Sequence, residues 1–381
     1  MRIAYFNANM RVGQDGVTRV MYKMMASARD RGHSVLALTS TPPDPGQTNI
    51  PMFKVPSVVL PLQKNYRIAL PGYQRFAREL WSFKPDLLHV NSPCTLGFGA
   101  MKYAHHFGVP IVATYHTHFP TYPRYYKIYG AEELIWKISR YLYNGMDRTF
   151  VPTLPILKEL TEHGISRTEY LPNGVDTTLF SPEHRSSQWR ETIDPTGKKS
   201  IILFVSRLVW EKDLRDLAAT YELLRARRND LEMVVVGDGY ARKGFESLMP
   251  GAHFLGYQTG GPLAESYASS DIFAFPSTTE TFGLVTVEAM SSGLIPVAAG
   301  YGGATGIIEN AQSGFLTRPH DPVHMAEKIE WILNNPGESA LMRKGALARS
   351  KQFGWEPILK NLFRQYEEIL HSGNRSRRTA A

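Results

Sequence analysis

Two glutamates eight positions apart, Glu280 and Glu288, are the side chains best placed for chemistry. They lie in Phe275–Gly293, where the apolar run DIFAFP ends in a Ser-Thr-Thr cluster and a Phe-Gly step precedes a helix-like segment. This order predicts a strand, a loop carrying Glu280 and a helix carrying Glu288, at the kind of strand end where open parallel sheets bind ligands. The two carboxylates can then accept hydrogen bonds from different parts of one ligand. The alternative is a capping glutamate and a solvated helix charge.

Other candidate ligand contacts also follow apolar runs. Arg207 comes after IILFVS and Lys212 five residues later, so the pair can neutralise a diphosphate. Gly237 and Asp238 end the run LEMVVV, and Gly283 opens the helix of Glu288, where a phosphate can approach backbone amides. Because strand ends converge in such sheets, we expect one ligand site. Two solvated surface cations are the alternative interpretation of Arg207 and Lys212.

Several common sites are not encoded. The stretch GDGYARKG has Arg242 where a dinucleotide loop needs glycine, and the chain contains neither a P-loop motif nor an Asp-x-Asp pair. His116 and His118 in HTH lack a third metal ligand at suitable spacing. We therefore expect no metal and no cofactor.

Composition predicts a globular protein of two domains. The chain has 381 residues and a single cysteine, Cys94, which fits a reducing compartment. It opens on the strand-like MRIAYFNAN, and no apolar run has the length of about 18 residues that a membrane span needs. A cytoplasmic location is the resulting expectation.

Strand-like and helix-like segments alternate along both halves, which predicts an α/β fold with doubly wound parallel sheets. In the first half, PDLLHVNS and PIVATYH bracket a helix that closes on Gly108; in the second, SIILFVSRL and LEMVVVGDG bracket another. We expect an N-terminal domain over residues 1–180 and a C-terminal domain over residues 181–381, with the last helix, at about 355–370, packing back on the first domain.

The net charge of +8 is confined to the first domain. Up to Phe180 there are 20 lysines and arginines against 12 aspartates and glutamates. Within this half, Phe119–Tyr143 mixes aromatic residues with four cations: Arg124, Lys127, Lys137 and Arg140. Such a segment suits a peripheral contact with an anionic membrane. An aromatic packing segment is the alternative, and single-stranded nucleic acid is disfavoured by the ligand site predicted in the second half.

The stretches VSRLVWEKDL, VVVGDGYAR and FPSTTETFGLVTVEAMSSG resemble the second domain of family 4 retaining glycosyltransferases, which have the GT-B fold of two Rossmann-like domains facing a cleft. DGVTRV, ATYHTHFPTY and YLPNGVDTTLF extend the resemblance into the first domain. It covers nearly the whole chain and is strongest to lipid-directed mannosyl- and sulfoquinovosyl-type transferases.

The resemblance implies roles for individual residues. Glu280 matches the carboxylate that holds the donor sugar, Glu288 the one that binds the ribose, and Arg207 and Lys212 the cations on the donor diphosphate. Phe282, Gly283 and Leu284 match a loop whose backbone lies near the phosphate and the sugar. His116 matches a histidine near the donor sugar, with His118 as its rival. Gly16 matches an N-terminal glycine loop. Many relatives have Gly-Gly where this chain has Asp15-Gly16.

The implied activity is metal-independent, retaining transfer of a hexose from a GDP- or UDP-linked sugar to a hydroxyl of a lipid or saccharide acceptor. The first domain would bind the acceptor and the second the nucleotide sugar. The alternatives are a soluble transferase that makes a small glycoside or polysaccharide, and a non-catalytic nucleotide-sugar-binding protein.

Overall fold

The computed structural model describes residues 1–13, 15–60, 63–91, 93–121, 123 and 130–378. Two compact units form. The first contains the described residues of Met1–Pro120, Tyr129–Pro172 and Glu356–Ala381. The second contains the described residues of Thr121–Ile128 and Asn173–Trp355. The main division thus falls between Pro172 and Asn173, shortly before the boundary predicted after Phe180.

Seven described strands of the first unit form a parallel sheet in the order β3-β2-β1-β6-β7-β8-β9. A separate antiparallel hairpin, β4 and β5, follows β3. The strands are β1 (Arg2–Phe6), β2 (Ser34–Thr39), β3 (Met52–Lys54), β4 (Ser57–Leu60), β5 (Gln63–Ala69), β6 (Leu87–Val90), β7 (Ile111–Thr114), β8 (Arg148–Val151) and β9 (Thr168–Tyr170).

The helices of this unit connect its parallel strands. They are α1 (Gly16–Asp30), α2 (Gln74–Phe83), α3 (Thr95–Phe107), α4 (Ala131–Asn144) and α5 (Leu154–Glu162). Helix α3 closes on Gly108, as predicted, because this residue adopts the left-handed conformation (φ +64°) that ends helices. Both faces of the sheet are covered, so β6 and β7 are buried along their whole length.

Six described strands of the second unit form a parallel sheet in the order β12-β11-β10-β13-β14-β15. They are β10 (Ser200–Val205), β11 (Leu231–Val236), β12 (His253–Gly256), β13 (Ile272–Phe275), β14 (Ile295–Ala299) and β15 (Phe315–Thr317). The helices are α6 (Ser187–Ile193), α7 (Leu214–Arg227), α8 (Arg242–Leu248), α9 (Gly260–Ala268), α10 (Leu284–Ser291), α11 (Ala304–Ile307), α12 (Pro322–Asn334) and α13 (Pro336–Ser350). The predicted doubly wound α/β class is confirmed.

The final helix, α14 (Trp355–Arg378), belongs to the first unit except for its first residue. Its Tyr366 hydroxyl lies 2.5 Å from Nδ1 of His89 in β6, and Nε2 of the same imidazole lies 2.7 Å from Oγ1 of Thr114 in β7. Burial lowers the pKa of His89 to about 3. A neutral imidazole therefore joins the final helix to two central strands.

Candidate active site

In the second unit, the residues predicted to bind a ligand follow the two strands at the topological switch point. The order runs from β10 to β12 on one side and from β13 to β15 on the other, so it reverses between β10 and β13. The segment after β10 carries Lys212, and the loop after β13 carries Glu280. Doubly wound sheets bind ligands beyond the carboxyl ends of strands at such a point.

Lys212 and Glu280 form an ion pair that is largely enclosed by protein. Nζ of Lys212 lies 2.5 Å from Oε1 of Glu280 and donates to Oγ1 of Thr279 at 3.2 Å. The Lys212 and Glu280 side chains are 11% and 22% exposed, so water screens their attraction less than it would at an open surface. The sequence prediction paired Lys212 with Arg207, which is exposed and lies in the segment directly after β10. The partnership with Glu280 was not predicted.

The backbone of Glu280 is held by the loop after β14. The N–H of Gly303 donates to the carbonyl oxygen of Glu280 at 2.7 Å. A Cβ on residue 303 would overlap the carbonyl group of Phe282, so a side chain at this position would push the two loops apart. Glu280 is thus held at two points: Lys212 pairs with its side chain, and Gly303 bonds its backbone carbonyl.

The glycine turn after β11 packs against the segment that carries Arg207. A Cβ on Gly237 would overlap the carbonyl oxygen of Ser206, and Gly237 also has a φ of +140°. The side chain of Asp238 accepts a hydrogen bond from the N–H of Gly239 at 2.7 Å. The close contact between two loops is therefore one physical reason for glycine at position 237. The nucleotide contact predicted for Gly237 and Asp238 stays a prediction.

Glu288 lies inside helix α10 and is 3% exposed. Its Oε2 accepts a hydrogen bond from the hydroxyl of Tyr267 in α9 at 3.0 Å. Glu280 is therefore on the loop and Glu288 on the helix, as the sequence order predicts. Because one oxygen of the buried carboxylate bonds a fixed hydroxyl, the orientation of Glu288 is set by the protein.

Three residues at the start of α10 were predicted as a phosphate-approach loop. Gly283 has a φ of +99°, a conformation that favours glycine, and Leu284 is the first helical residue. The ring of Phe282 is buried and packs edge-to-face on Phe353, with ring centres 5.6 Å apart. Phe282 therefore anchors the turn with its side chain, so any ligand contact it makes comes from its backbone.

In the first unit, His116 is positioned by an asparagine that sequence analysis did not select. The strand order of this sheet reverses between β1 and β6, and Asn91 directly follows β6. Nε2 of His116 lies 3.0 Å from Oδ1 of Asn91. Since an amide oxygen only accepts hydrogen bonds, this contact places a proton on Nε2. Burial lowers the pKa of His116 to about 4, so the ring is neutral at neutral pH.

His118, the rival of His116, is enclosed by its own unit. Its Nδ1 lies 2.9 Å from the hydroxyl of Tyr115, and its Nε2 lies 3.2 Å from Oε1 of Glu159. Its ring packs in a T-shaped contact with Trp136, with ring centres 5.8 Å apart. These contacts give His118 a packing role and leave His116 as the stronger candidate.

The N-terminal glycine loop has a local reason to carry aspartate. Gly16 is the first residue of α1, and Asp15 is its N-cap. Oδ1 of Asp15 accepts a hydrogen bond from the N–H of Thr18 at 2.7 Å. Asp15 therefore caps the helix at the position where many resembling proteins have glycine.

One cluster among the described residues has side chains of the type that bind metal ions. Single ligand atoms of Asp213, Asp216 and His320 all lie within 4.8 Å of one another. Nδ1 of His320 is 2.9 Å from Oδ2 of Asp216, which is equally the geometry of a hydrogen-bonded ion pair. The expectation of a metal-free site stays a prediction.

The segment predicted to contact a membrane is described in part. Arg124 and Lys127 lie outside the described residues, whereas Lys137 is exposed on α4. Arg140 pairs with a carboxylate of its own helix, because it donates to Oε1 of Glu133 at 2.8 Å. The exposed apolar residues of α4 are Leu134, Ile138 and Tyr141. Across the part of the chain that is described, no helix is both long and apolar enough to cross a bilayer.

Three residues that support the site were not selected from the sequence. Asn91 contacts His116, Tyr267 contacts Glu288, and Asp213 bonds Thr278 in the loop that carries Glu280. Asn91 had a usable signal, because it is the first polar residue after the buried run LLHV. Asp213 had a weaker one, since it directly follows Lys212. Tyr267 had none, because its contact with Glu288 depends on how α9 packs beside α10.

Family comparisons cover both units. A family model described as glycosyl transferases group 1 matches residues 186–349. A second, described as Glycosyltransferase Family 4, matches residues 14–179.

Three curated relatives and one solved structure illustrate the similarity. The chain is 31% identical to a GDP-mannose-dependent alpha-mannosyltransferase of Mycolicibacterium smegmatis, over 100% of both chains. It is 34% identical to the sulfoquinovosyl transferase SQD2 of Arabidopsis thaliana, over 77% of this chain and 59% of that one. It is 23% identical to an alpha-monoglucosyldiacylglycerol synthase of Acholeplasma laidlawii, over 98% and 99%.

The solved structure is the sucrose-phosphate synthase of Thermosynechococcus elongatus, with a TM-score of 0.81 and 19% identity over 98% of this chain and 100% of that one. At this identity the likeness establishes the fold alone, the GT-B fold with two Rossmann-like units. The full-length similarity to the mannosyltransferase and the two family matches establish more: the chain belongs to glycosyltransferase family 4.

Proposed function

We propose that this chain is a retaining, metal-independent transferase that moves a hexose from a GDP- or UDP-linked sugar to a hydroxyl of a membrane glycolipid. The observation that carries the proposal is the Lys212–Glu280 pair at the switch point, which joins a group that binds hydroxyls to one that binds phosphate. The names of the mycolicibacterial and Acholeplasma relatives, with GDP-mannose and diacylglycerol, support the donor class and a lipid acceptor. A cytoplasmic protein acting at the membrane surface fits both.

In the proposed reaction, the bond from the anomeric carbon to the donor phosphate oxygen breaks while a bond to the acceptor oxygen forms on the same face. The departing phosphate oxygen takes the proton of the acceptor hydroxyl, so no base from the protein is required. Negative charge grows on the leaving diphosphate. Arg207 and Lys212 stabilise this charge, and Glu280 holds hydroxyls of the transferred sugar.

The charge state of His116 fits a contact with a sugar rather than with phosphate. Its ring is neutral and is oriented through Asn91. A neutral imidazole can form hydrogen bonds with hydroxyls but carries no charge to offset that of a phosphate. We therefore assign His116 to the donor hexose, as the resemblance implies.

A thermal-shift panel of GDP, UDP and their hexose conjugates tests this function directly. A donor at 100 times its Kd stabilises the fold by about 2.7 kcal/mol, because it binds only the folded state. We expect one nucleotide series to raise Tm, followed by glycosyl transfer or slow donor hydrolysis. Stabilisation by a donor that is neither transferred nor hydrolysed would favour the non-catalytic alternative. Transfer to a soluble sugar in preference to a lipid would favour the soluble transferase.

Replacing Arg207 with alanine should reduce kcat by roughly 10²–10³, as loss of one electrostatic donor does. Arg227→Ala is the matched control, since this exposed arginine pairs with Glu330 on α12. EDTA should leave the rate nearly unchanged. A strict requirement for an added divalent metal, or equal rates in the two arginine variants, would contradict the proposed charge stabilisation.

Substitutions of the two glutamates should weaken the binding of different ligands. Glu280→Gln should weaken binding of donor sugars according to their hydroxyl pattern, since charge-assisted hydrogen bonds contribute about 1.5–3 kcal/mol each. Glu288→Gln should also weaken the free nucleoside diphosphate, because its proposed partner is the ribose. Tyr267→Phe removes the hydroxyl that orients Glu288 and should produce a smaller effect of the same kind. Calorimetric titrations that show equal losses for both glutamate variants would overturn this division.

The exposed face of α4 supports a membrane contact of the first unit. Leu134, Ile138 and Tyr141 are 59%, 40% and 63% exposed, at spacings that place them on one side of the helix. Lys137 is exposed on the same helix, and the excess of cations lies in this half of the chain. Apolar side chains beside lysine suit the headgroup region of an anionic bilayer.

Vesicle co-sedimentation tests this contact. Lys137→Glu and the triple change of Leu134, Ile138 and Tyr141 to serine should each reduce binding to phosphatidylserine-containing vesicles at low salt, where one cation contributes about 1 kcal/mol. Lys158→Glu on α5 is the matched charge control, because that lysine is also exposed. Binding should weaken with salt. Unchanged partitioning of the triple variant would return α4 to a packing role.

A further inference from the structure

Asp213 has an unusual backbone conformation for its residue type. It follows the short turn Trp210–Lys212 and precedes α7 with a φ of +54°. Residues other than glycine, asparagine and aspartate rarely adopt this left-handed region, where occupancy costs about 1–2 kcal/mol for most side chains. The residue is only 8% exposed. A glycine would meet the backbone requirement, so the carboxylate needs a separate explanation.

The Asp213 side chain holds the loop that carries Glu280. Its Oδ2 accepts two hydrogen bonds from Thr278, one from the backbone N–H and one from Oγ1, each at 2.8 Å. Burial raises the pKa of Asp213, and both bonds to Thr278 oppose that shift. The carboxylate is therefore used to bind this loop despite its desolvation.

The two residues before Asp213 hold the next two residues of the same loop. The carbonyl oxygen of Glu211 accepts from Oγ1 of Thr279 at 3.1 Å. Lys212 bonds Oγ1 of Thr279 and the carboxylate of Glu280. Residues 211–213 thus hold residues 278–280 through five contacts, two of which go to Thr278. Displacing Thr278 would also displace Glu280, two residues farther along the chain.

We propose that Asp213 is a positioning residue: through Thr278 it fixes the loop so that Glu280 meets both Lys212 and the donor sugar. The inference rests on the proposed function of Glu280 and adds a residue that acts without touching the donor. His320 and Asp216 border Asp213 on its other side, with Nδ1 of His320 3.8 Å from Oδ1 of Asp213. They leave the Oδ2 contacts to Thr278 in place.

Two substitutions separate positioning from folding. Asp213→Gly removes the acceptor but suits the left-handed backbone, so the chain should stay folded with a Tm close to the original. Asp213→Asn tolerates the same backbone and keeps an oxygen that can accept from Thr278. Lys84→Gly is the matched control, because Lys84 is an exposed residue of the first unit with a φ of +51°.

We expect Asp213→Gly to lower kcat/KM by about 10- to 100-fold, since misplacement by about 1 Å costs on that order. The KM for the donor should rise, and the enzyme should discriminate less between different hexoses. Hydrogen exchange of the amides at 277–281 should accelerate. Asp213→Asn should restore most of the rate, and Lys84→Gly should match wild type. Combining Asp213→Gly with Thr278→Ala should add little to the effect of Asp213→Gly alone, because Thr278→Ala removes one of the two bonds that Asp213→Gly removes.

The outcomes separate the inference from the proposed function. A wild-type protein that binds no nucleotide sugar would overturn the function of the site. A wild-type protein that binds and transfers, with Asp213→Gly unchanged in kcat/KM and loop exchange, would overturn the positioning role alone. If Asp213→Gly lowers Tm but changes neither the hydrogen exchange of the loop nor the donor KM, Asp213 only stabilises the fold and does not position Glu280.

Discussion

The ion pair between Lys212 and Glu280 is the interaction on which the candidate site depends. Removing a carboxylate and an ammonium from water is costly, and only close pairing with further hydrogen bonds offsets that cost. Thr279 supplies one such bond to Lys212, and Gly303 holds the backbone of Glu280. The pair also constrains how a donor would bind under the proposed function. An arriving diphosphate would compete with Glu280 for the ammonium of Lys212, which would couple phosphate recognition to sugar recognition.

Close approach between loops is the second constraint. Gly237 lies against the carbonyl of Ser206, and Gly303 lies against that of Phe282. Both contacts join loops that follow different strands of one sheet. They explain why the turns around the ion pair contain glycine before any ligand is considered. Because a single Cβ at either position would separate two loops, the geometry of the site is set by backbone packing as much as by its charged side chains.

The sequence predicts the fold better than it predicts the contacts. Buried parallel strands such as SIILFV are continuous apolar runs, and helix ends such as Gly108 have local signals, so both were found. The hairpin β4–β5 was missed because PSVVL lies close to prolines and ends before a polar stretch. In the site, the loop position of Glu280 followed from residue order. Its pairing with Lys212, 68 positions away, depends on which strands lie side by side, which local patterns do not reveal.

The candidate groups of the two units differ in electrostatic character. The second unit gathers ionised groups, Lys212 and Glu280, at its switch point, whereas the first places a neutral His116 beside the amide of Asn91. Burial lowers the pKa of His116 to about 4 and so accounts for the neutral ring. A cation suits a leaving diphosphate, whereas a carboxylate and a neutral imidazole can both accept hydrogen bonds from hydroxyls. Within the proposed function, Lys212 is therefore the group that meets developing charge, and Glu280 and His116 are the groups that meet hydroxyls.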